Sequence, residues 1–129
     1  MDSKKLGDLG EKIACRYLEN KGYKILDRNY KRKWASGPQK GEIDIIVQKS
    51  GVISFVEVKS LRSAQGELYL PEDRVDFKKQ RKLIRLAENW LSERKTPLES
   101  KWQIDVIGIS INPILKKAKI RHFKNAISL

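Results

Sequence analysis

Apolar residues near the N-terminus recur at the spacing of an amphipathic helix. Between Ser3 and about Lys21 they fall every three or four positions, at Leu6, Leu9, Ile13, Ala14, Tyr17 and Leu18. Gly22 follows, and glycine readily adopts the left-handed backbone conformation that ends a helix. The pattern therefore predicts a first helix that begins near Ser3 and ends before Gly22.

The pattern then changes to shorter runs rich in β-branched and aromatic residues. Three strands are predicted, at 23–30, 42–48 and 52–59. The last two are separated by Lys49-Ser50-Gly51, which is typical of a hairpin turn. These two strands are therefore expected to pair antiparallel.

Helical spacing returns later in the chain, and two further strands follow. An apolar arc predicts a helix from about residue 74 to residue 93, and it contains Phe77, Leu83, Ile84, Ala87, Trp90 and Leu91. Strands are predicted at 102–111 and 118–123. The order is αβββαβ with an extra C-terminal strand. Because hairpin-linked strands are antiparallel and a helical crossover permits a parallel pair, we predict an α/β fold with a mixed sheet flanked by helices.

The hairpin brings acidic residues together if Ser50-Gly51 is a two-residue loop. Lys49 then pairs with Val52, which places Asp44 opposite Glu57 and Glu42 opposite Lys59 on one face. Carboxylates directly across an antiparallel pair repel unless a cation lies between them, so this register favours a divalent metal site. The other face, suited to packing on a helix, carries Ile43, Ile45, Val47, Val56 and Val58.

Two alternatives to the metal site stay open at this point. A three-residue loop would place Asp44 and Glu57 on opposite faces of the hairpin. Even in the expected register, the acidic and basic residues would be compatible with ordinary cross-strand salt bridges on a solvated face.

The charge of the chain indicates what kind of partner it binds. The chain of 129 residues has 28 Lys+Arg against 16 Asp+Glu, a formal net charge of +12. This excess favours a polyanionic partner, and nucleic acid is favoured over an acidic membrane surface. The alternative is a basic surface that only keeps the protein soluble.

The length fits a single domain over 1–129. One cysteine and one histidine exclude an internal disulfide and leave too few ligands for a structural zinc site, so any metal is expected to be held by oxygen.

No apolar run approaches the ~20 residues that span a bilayer. The first residues lack the apolar stretch of a signal peptide, so we expect a cytoplasmic protein. Cys15 is interpreted as a small helix residue and His122 as a surface or partly packed strand residue. Asp105 shares a strand face with Ile107 and Ile109, and a buried ion pair is its expected role.

Two helix residues add to the candidate chemistry. Gln80 lies within the apolar arc of the second helix, where it faces either a site or a strand carbonyl that it caps. Glu11 lies at the edge of the first helix's arc, beside Gly7, Ala14 and Cys15, whose small side chains allow close approach. Taken alone, such a glutamate is more often a solvated helix carboxylate.

Several short motifs stand in a recognisable order. They are Glu11, then Gly41-Glu42-Ile43-Asp44, then Phe55-Val56-Glu57-Val58-Lys59, then Val75-Asp76-Phe77-Lys78-Lys79-Gln80-Arg81-Lys82, and finally Gln103-Ile104-Asp105-Val106-Ile107. With them the chain resembles the YraN-like (UPF0102) family over nearly its whole length. That family belongs by fold to the PD-(D/E)xK restriction-endonuclease-like superfamily and is similar to archaeal Holliday junction resolvases.

The resemblance implies a restriction-endonuclease-like αβββαβ core with a metal-dependent nuclease site. Asp44 and Glu57, aided by the Val58 carbonyl, would hold Mg²⁺, with Mn²⁺ as the alternative. The metal would lower the pKa of a bound water and offset charge on the scissile phosphate.

The resemblance also implies roles for the other polar residues. Lys59 would orient the water or stabilise the phosphate oxyanion. Glu11 would complete the metal shell or accept a proton through water. Gln80 would position Lys59 or a phosphate, and Glu42 would hold Lys59.

Basic residues near these motifs are the candidates for binding nucleic acid. Contacts to phosphate are expected from Lys31, Arg32, Lys33, Arg62, Lys78, Lys79, Lys82 and Arg85. Lys78, Lys82 and Arg85 follow i, i+4, i+7 spacing, which makes a basic stripe on the second helix, unless this is simply a solvated face. Trp34 either stacks on an unpaired base or anchors its own loop.

The function predicted from the sequence is a Mg²⁺-dependent endonuclease acting on DNA, including branched or repair intermediates. A non-catalytic nucleic-acid-binding module of the same fold is the alternative, although binding alone needs no paired carboxylates. A protein-interaction scaffold would leave the charge of +12 unexplained. Symmetric cleavage of two strands requires two sites, so we expect a weak or DNA-assisted homodimer. Leu61, Leu68, Tyr69 and Leu70 either supply part of its apolar contact or fold back over their own core.

Overall fold

Five strands form one sheet between two helices in the computed structural model, which describes residues 2–32, 41–62, 77–127 and 129. The elements are α1 (Ser3–Asn20), β1 (Lys24–Lys31), β2 (Glu42–Lys49), β3 (Val52–Arg62), α2 (Phe77–Glu93), β4 (Lys101–Asn112) and β5 (Lys117–Phe123). The sheet order is β1-β2-β3-β4-β5; β3 and β4 are parallel and the other neighbours antiparallel. The predicted element order and mixed sheet are confirmed and are compatible with a restriction-endonuclease-like core. β3 extends three residues beyond its predicted end.

Some predictions concern residues that the structure does not describe. They are Lys33, Trp34, Leu68, Tyr69, Leu70 and the predicted start of the second helix before Phe77. Among the described residues, no helix is long and apolar enough to cross a membrane.

Helix α1 ends as its sequence predicts. Gly22 has a φ of 92°, and its N–H donates to the Glu19 carbonyl, while the Tyr23 N–H donates to the Leu18 carbonyl. This pair of bonds is a Schellman motif, which satisfies carbonyls that the end of a helix leaves free.

The contact between α1 and β3 depends on Gly10. A Cβ atom on this buried glycine would lie 1.8 Å from Ser60 Oγ and 3.0 Å from Ser60 Cβ, so a larger residue fits only if the Ser60 side chain or α1 moves. Because Glu11 is the next residue, this close contact also sets its distance from the sheet.

The hairpin between β2 and β3 has the two-residue loop that the sequence predicts. Ser50 and Gly51 both have positive φ, 52° and 79°, as a type I′ turn requires. Lys49 pairs with Val52, and pairing continues to Ile45 opposite Val56. The register assumed for the acidic residues is therefore confirmed as far as Ile45, which is adjacent to Asp44 on the side of the turn.

Each face of the sheet packs against one helix, so the core consists of two separate apolar clusters. Ile45, Val47 and Val56 pack with Ala14 and Leu18 of α1, as predicted. On the α2 side, the main members are Ile46, Phe55, Leu83, Leu86 and Trp90.

Two apolar residues lie elsewhere than predicted. Ile43 belongs to the α2-side cluster, although simple alternation placed it with Ile45. The change of face falls on β2 where its pairing with β3 ends after Ile45↔Val56 and the Asp44 side chain, in place of a backbone carbonyl, accepts the Val58 N–H. Phe77, predicted to lie in the apolar arc, is 71% exposed, because it is the first residue of α2 and lies outside the apolar cluster on which the rest of the helix packs.

A polar network is buried beside α1. His122 Nε2 lies 2.8 Å from Asp105 Oδ2, and His122 Nδ1 lies 3.0 Å from Tyr17 Oη. Asp105 Oδ1 accepts from Gln103 Nε2 and from the Asn125 N–H. Asp105 is therefore the buried residue that the sequence predicts, and His122 is a partly buried strand residue, one of its two predicted placements, with a side chain that is only 4% exposed.

Candidate active site

The site begins where β2 and β3 separate. Beyond Ile45↔Val56, the Asp44 carboxylate accepts a hydrogen bond of 2.7 Å from the Val58 N–H. A side chain therefore occupies a position that the regular ladder gives to a backbone carbonyl. This bond fixes Asp44 between the two strands.

Three carboxylates converge at this separation. Oxygens of Glu11 from α1 and of Glu42 and Asp44 from β2 all lie within 4.8 Å of one another. Burial, followed by the charge of Glu57, raises the pKa of Asp44 to about 8 against the opposing effect of the Val58 N–H. A carboxyl group in this position is neutral at pH 7 unless a cation offsets its charge. An oxygen-only donor set of this kind fits a hard divalent cation such as Mg²⁺.

Glu11 is held in the cluster by β1. Asn29 Nδ2 donates to Glu11 Oε1 at 2.8 Å, and Arg28 Nη2 lies 4.0 Å from the same oxygen. The positive φ of Asn29 is a conformation that asparagine tolerates better than most residues. Sequence reasoning missed Asn29, although an asparagine within a predicted strand is unusual enough to mark an irregular position.

Glu57 lies in the same cleft but is bound by two lysines. Its Oε1 is 3.0 Å from Lys79 Nζ and 3.5 Å from Lys59 Nζ, and the residue is 5% exposed. Burial and the neighbouring Lys79 lower the pKa of Lys59. Burial is the largest effect on Lys79 and acts to lower its pKa, but the charges of Glu57 and Asp44 and the hydrogen bonds with Glu57 and Lys59 together raise that pKa. Lys79, expected only to contact phosphate, therefore contacts a predicted metal ligand directly.

Glu42 does not hold Lys59 as expected. Its ion pair is with Lys31 Nζ at 3.6 Å, whereas Lys59 pairs with Glu57. The expected contact assumed that regular pairing reaches Glu42 and Lys59. In the structure the pairing of β2 with β3 ends at Ile45↔Val56, three residues short of Glu42. Glu42 instead joins the carboxylate cluster.

A cleft of about 420 Å³ joins the acidic residues to the N-terminal part of α2. Its lining consists of Gly41, Glu42, Asp44, Glu57, Lys78, Lys79, Lys82, Leu83 and Leu86. The structure thus brings three of the predicted phosphate-binding lysines beside the carboxylates. The lining does not include Gln80, which is half-buried, or the exposed Arg85. Arg32 and Arg62 are exposed near the ends of β1 and β3.

A family model described as "Uncharacterised protein family UPF0102" matches residues 10–109. The match contains Glu11, both strands of the hairpin and α2. The chain belongs to the UPF0102 family. This UPF0102 chain is 40% identical over 124 residues to a UPF0102 protein of Alkaliphilus oremlandii (strain OhILAs), covering 96% of this chain and 98% of that protein. It is 38% identical over 126 residues to a UPF0102 protein of Desulforamulus reducens (strain ATCC BAA-1160 / DSM 100696 / MI-1), covering 96% of each.

One solved structure is distantly similar to this UPF0102 chain. It is Pyrococcus furiosus SfsA in complex with Ca²⁺, with a TM-score of 0.39 and 17% sequence identity. The alignment covers 99% of this chain and 66% of that chain. Similarity at this level carries no functional argument.

Proposed function

We propose that this UPF0102 protein is a metal-dependent endonuclease that hydrolyses phosphodiester bonds in DNA, with branched recombination and repair intermediates among its substrates. The observation that carries the proposal is the cleft in which Glu42, Asp44 and Glu57 lie beside the lysines of α2. Carboxylates repel phosphate, so a surface used only for binding gains nothing from them. A divalent cation between carboxylates and phosphate makes the two sets of charges compatible.

Asp44 is the proposed central metal ligand because it belongs to both acidic arrangements. It shares the cleft with Glu57, its proposed partner from the hairpin, and it lies in the cluster with Glu11 and Glu42. When bound, Mg²⁺ or Mn²⁺ would supply Lewis acidity and lower the pKa of a water molecule. The oxygen donors of this cluster suit either ion.

The remaining residues act around that centre. Lys59, whose pKa is lowered by burial, orients the attacking water or offsets the charge of the phosphate oxygens. Asn29 holds Glu11 in place to complete the ligand shell or accept a proton through water. Gln80 positions Lys59 or a phosphate from α2. Phosphates outside the reaction centre contact Lys31, Arg32, Lys33, Arg62, Lys78, Lys82 and Arg85.

One observation favours the alternative of a non-catalytic nucleic-acid-binding module. Lys59 and Lys79 already offset the charge of Glu57, so this carboxylate does not need a metal to be stable in its buried position. A module of this kind would bind DNA equally well with and without divalent cations.

A cleavage assay separates the two functions. Linear, flapped and four-way-junction DNA are each incubated with Mg²⁺, with Mn²⁺ or with chelator, and binding is measured in parallel. We expect cleavage only with metal, and we expect Asp44→Asn to reduce it by at least about 10²-fold while DNA binding is kept or tightened, because a negative charge facing phosphate is removed. Binding without cleavage under every condition would establish the module, and full cleavage by Asp44→Asn would exclude this site.

A further inference from the structure

The sheet face that carries Glu57 changes from apolar to polar residues, and the change occurs at the same height on β3, β4 and β5. On β4 the residues of this face change from Trp102, Ile104 and Val106 to Gly108, Ser110 and Asn112. On β3 the change is from Phe55 to Glu57 and Lys59, and on β5 it is from Phe123 to Arg121. The apolar half packs in the α2-side cluster. Apart from the half-buried Leu61 opposite Ser110, the residues that these three strands place on the other half are polar or glycine, and this half continues from the candidate site towards β5.

Strand register places three cations on this polar half. Lys59 is opposite Gly108, which is opposite Arg121; Ser110 is opposite Lys119, and Asn112 is opposite Lys117. Neighbouring residues of paired strands point to the same face, so the side chains of Lys117, Lys119 and Arg121 share the face of Lys59. The Arg121 guanidinium lies 5.4 Å from the centre of the Phe123 ring, which agrees with this orientation. We call these three residues the β5 basic row.

The dimensions of the β5 basic row suit a polyanionic chain. Two strand spacings separate Lys59 from Arg121, about 10 Å between Cα atoms, and alternate residues along β5 are about 7 Å apart. Gly108 has no side chain and that of Ser110 is small, so β4 places no bulky group between Lys59 and the row. All three residues are exposed, and no described acidic side chain forms an ion pair with them.

We propose that the β5 basic row binds the phosphate backbone of a nucleic-acid strand that extends from the candidate site across the sheet. α2 lies over β2 on one side of Glu57 and Lys59, and β5 lies two strands away on the other side. A strand bound at the site therefore meets cations in both directions. The proposal builds on the proposed nuclease function, but it concerns binding and does not require cleavage.

The simpler role for these residues is protection of an exposed sheet edge. β5 is an edge strand, and charged residues on such strands discourage pairing with other chains. Edge protection predicts that neutral variants self-associate and that their affinity for DNA keeps its salt dependence. Phosphate binding predicts the reverse, so the two roles give different results in one set of measurements.

The experiment measures binding of a duplex DNA oligonucleotide in EDTA at several salt concentrations, for the full chain. Lys119→Gln/Arg121→Gln removes two cations of the row, and Lys117→Gln/Lys119→Gln does so while leaving the contact between Arg121 and Phe123 intact. Lys4→Gln/Arg16→Gln, on the exposed side of α1 across the sheet, is the matched control. Thermal unfolding and light scattering check the fold and the association state of each variant.

We expect both row variants to reduce the slope of log K against log salt by up to about two units, near one for each phosphate that the variant no longer neutralises. The control should retain the wild-type slope. An unchanged slope, an equal reduction in the control, self-association of the row variants with the slope intact, or no DNA binding at low salt would overturn the proposal. Because EDTA prevents metal-dependent cleavage, failure of the nuclease function would leave this result unaffected.

Discussion

At the scale of single residues, Asp44 connects the stability of the protein to pH. Its pKa is raised from 3.8 to about 8 in the folded chain, first by burial and then by Glu57. Between these values the folded chain keeps a proton that the unfolded chain has lost. The free energy of unfolding of the metal-free protein therefore falls as pH rises from about 4 to about 8, by at most ~1.4 kcal/mol per pH unit.

Urea denaturation in EDTA at pH 5, 6.5 and 8 tests this prediction. Asp44→Asn should remove most of the pH dependence, because the amide does not titrate. Asp8→Asn, which changes an exposed aspartate of α1, is the control and should behave as the wild type. Equal slopes in the wild type and in Asp44→Asn would show that another group is responsible.

Lys79 competes with a metal for the charge of Glu57. Its Nζ lies 3.0 Å from Glu57 Oε1, closer than Lys59. Removing it with Lys79→Met should tighten Mg²⁺ binding about two- to fivefold, the size of a partly exposed ion pair, while Lys78→Met lines the same cleft and serves as the control. Titration calorimetry measures both. If Lys78→Met tightens binding as much, a general reduction of positive charge explains the effect.

At the scale of elements, the contact of α1 with β3 determines where Glu11 lies. Gly10→Ala should destabilise the protein by about 1–3 kcal/mol, because the added Cβ meets the Ser60 side chain, which must shift or push α1 away from β3. Gly7→Ala is the control on the same helix: nothing lies within 4 Å of its added Cβ, so it should stabilise by about 0.5–1 kcal/mol.

Denaturant unfolding gives both stabilities, and a second substitution tests the cause. Ser60→Ala removes the nearest atom, so it should recover part of the stability that Gly10→Ala removes. If Gly10→Ala is as stable as the wild type, the helix tolerates a larger separation from β3.

The elements also show why some of the site could be predicted from sequence and some could not. The hairpin register follows from Ser50-Gly51, because a type I′ turn fixes the pairing of the residues that flank it, here as far as Ile45↔Val56. The face of Ile43 does not follow, since regular alternation on β2 is interrupted at Asp44, whose side chain bonds the Val58 N–H. The contact of Lys79 with Glu57 depends on how α2 lies over the sheet, which helical periodicity alone does not specify.

At the scale of the whole molecule, the net charge and the positions of individual charges give different information. The net charge of +12 indicates a polyanionic partner, but it does not indicate that buried acidic groups meet where β2 and β3 separate. That separation follows a local change from backbone to side-chain hydrogen bonding at Asp44. The polyanionic partner stays a prediction from composition, whereas the folded chain confirms the hairpin register as far as Ile45↔Val56 and shows where the acidic groups lie.

The two-residue turn at Ser50-Gly51 also affects the order in which the chain folds. β2 and β3 are adjacent in sequence, whereas β3 reaches β4 only after α2, and local pairs close at a lower entropic cost than distant ones. The hairpin is thus favoured to form first, with Asp44 and Glu57 still surrounded by water. The cost of bringing their charges out of water then falls on the later step, in which α2 and β4 dock onto the completed hairpin.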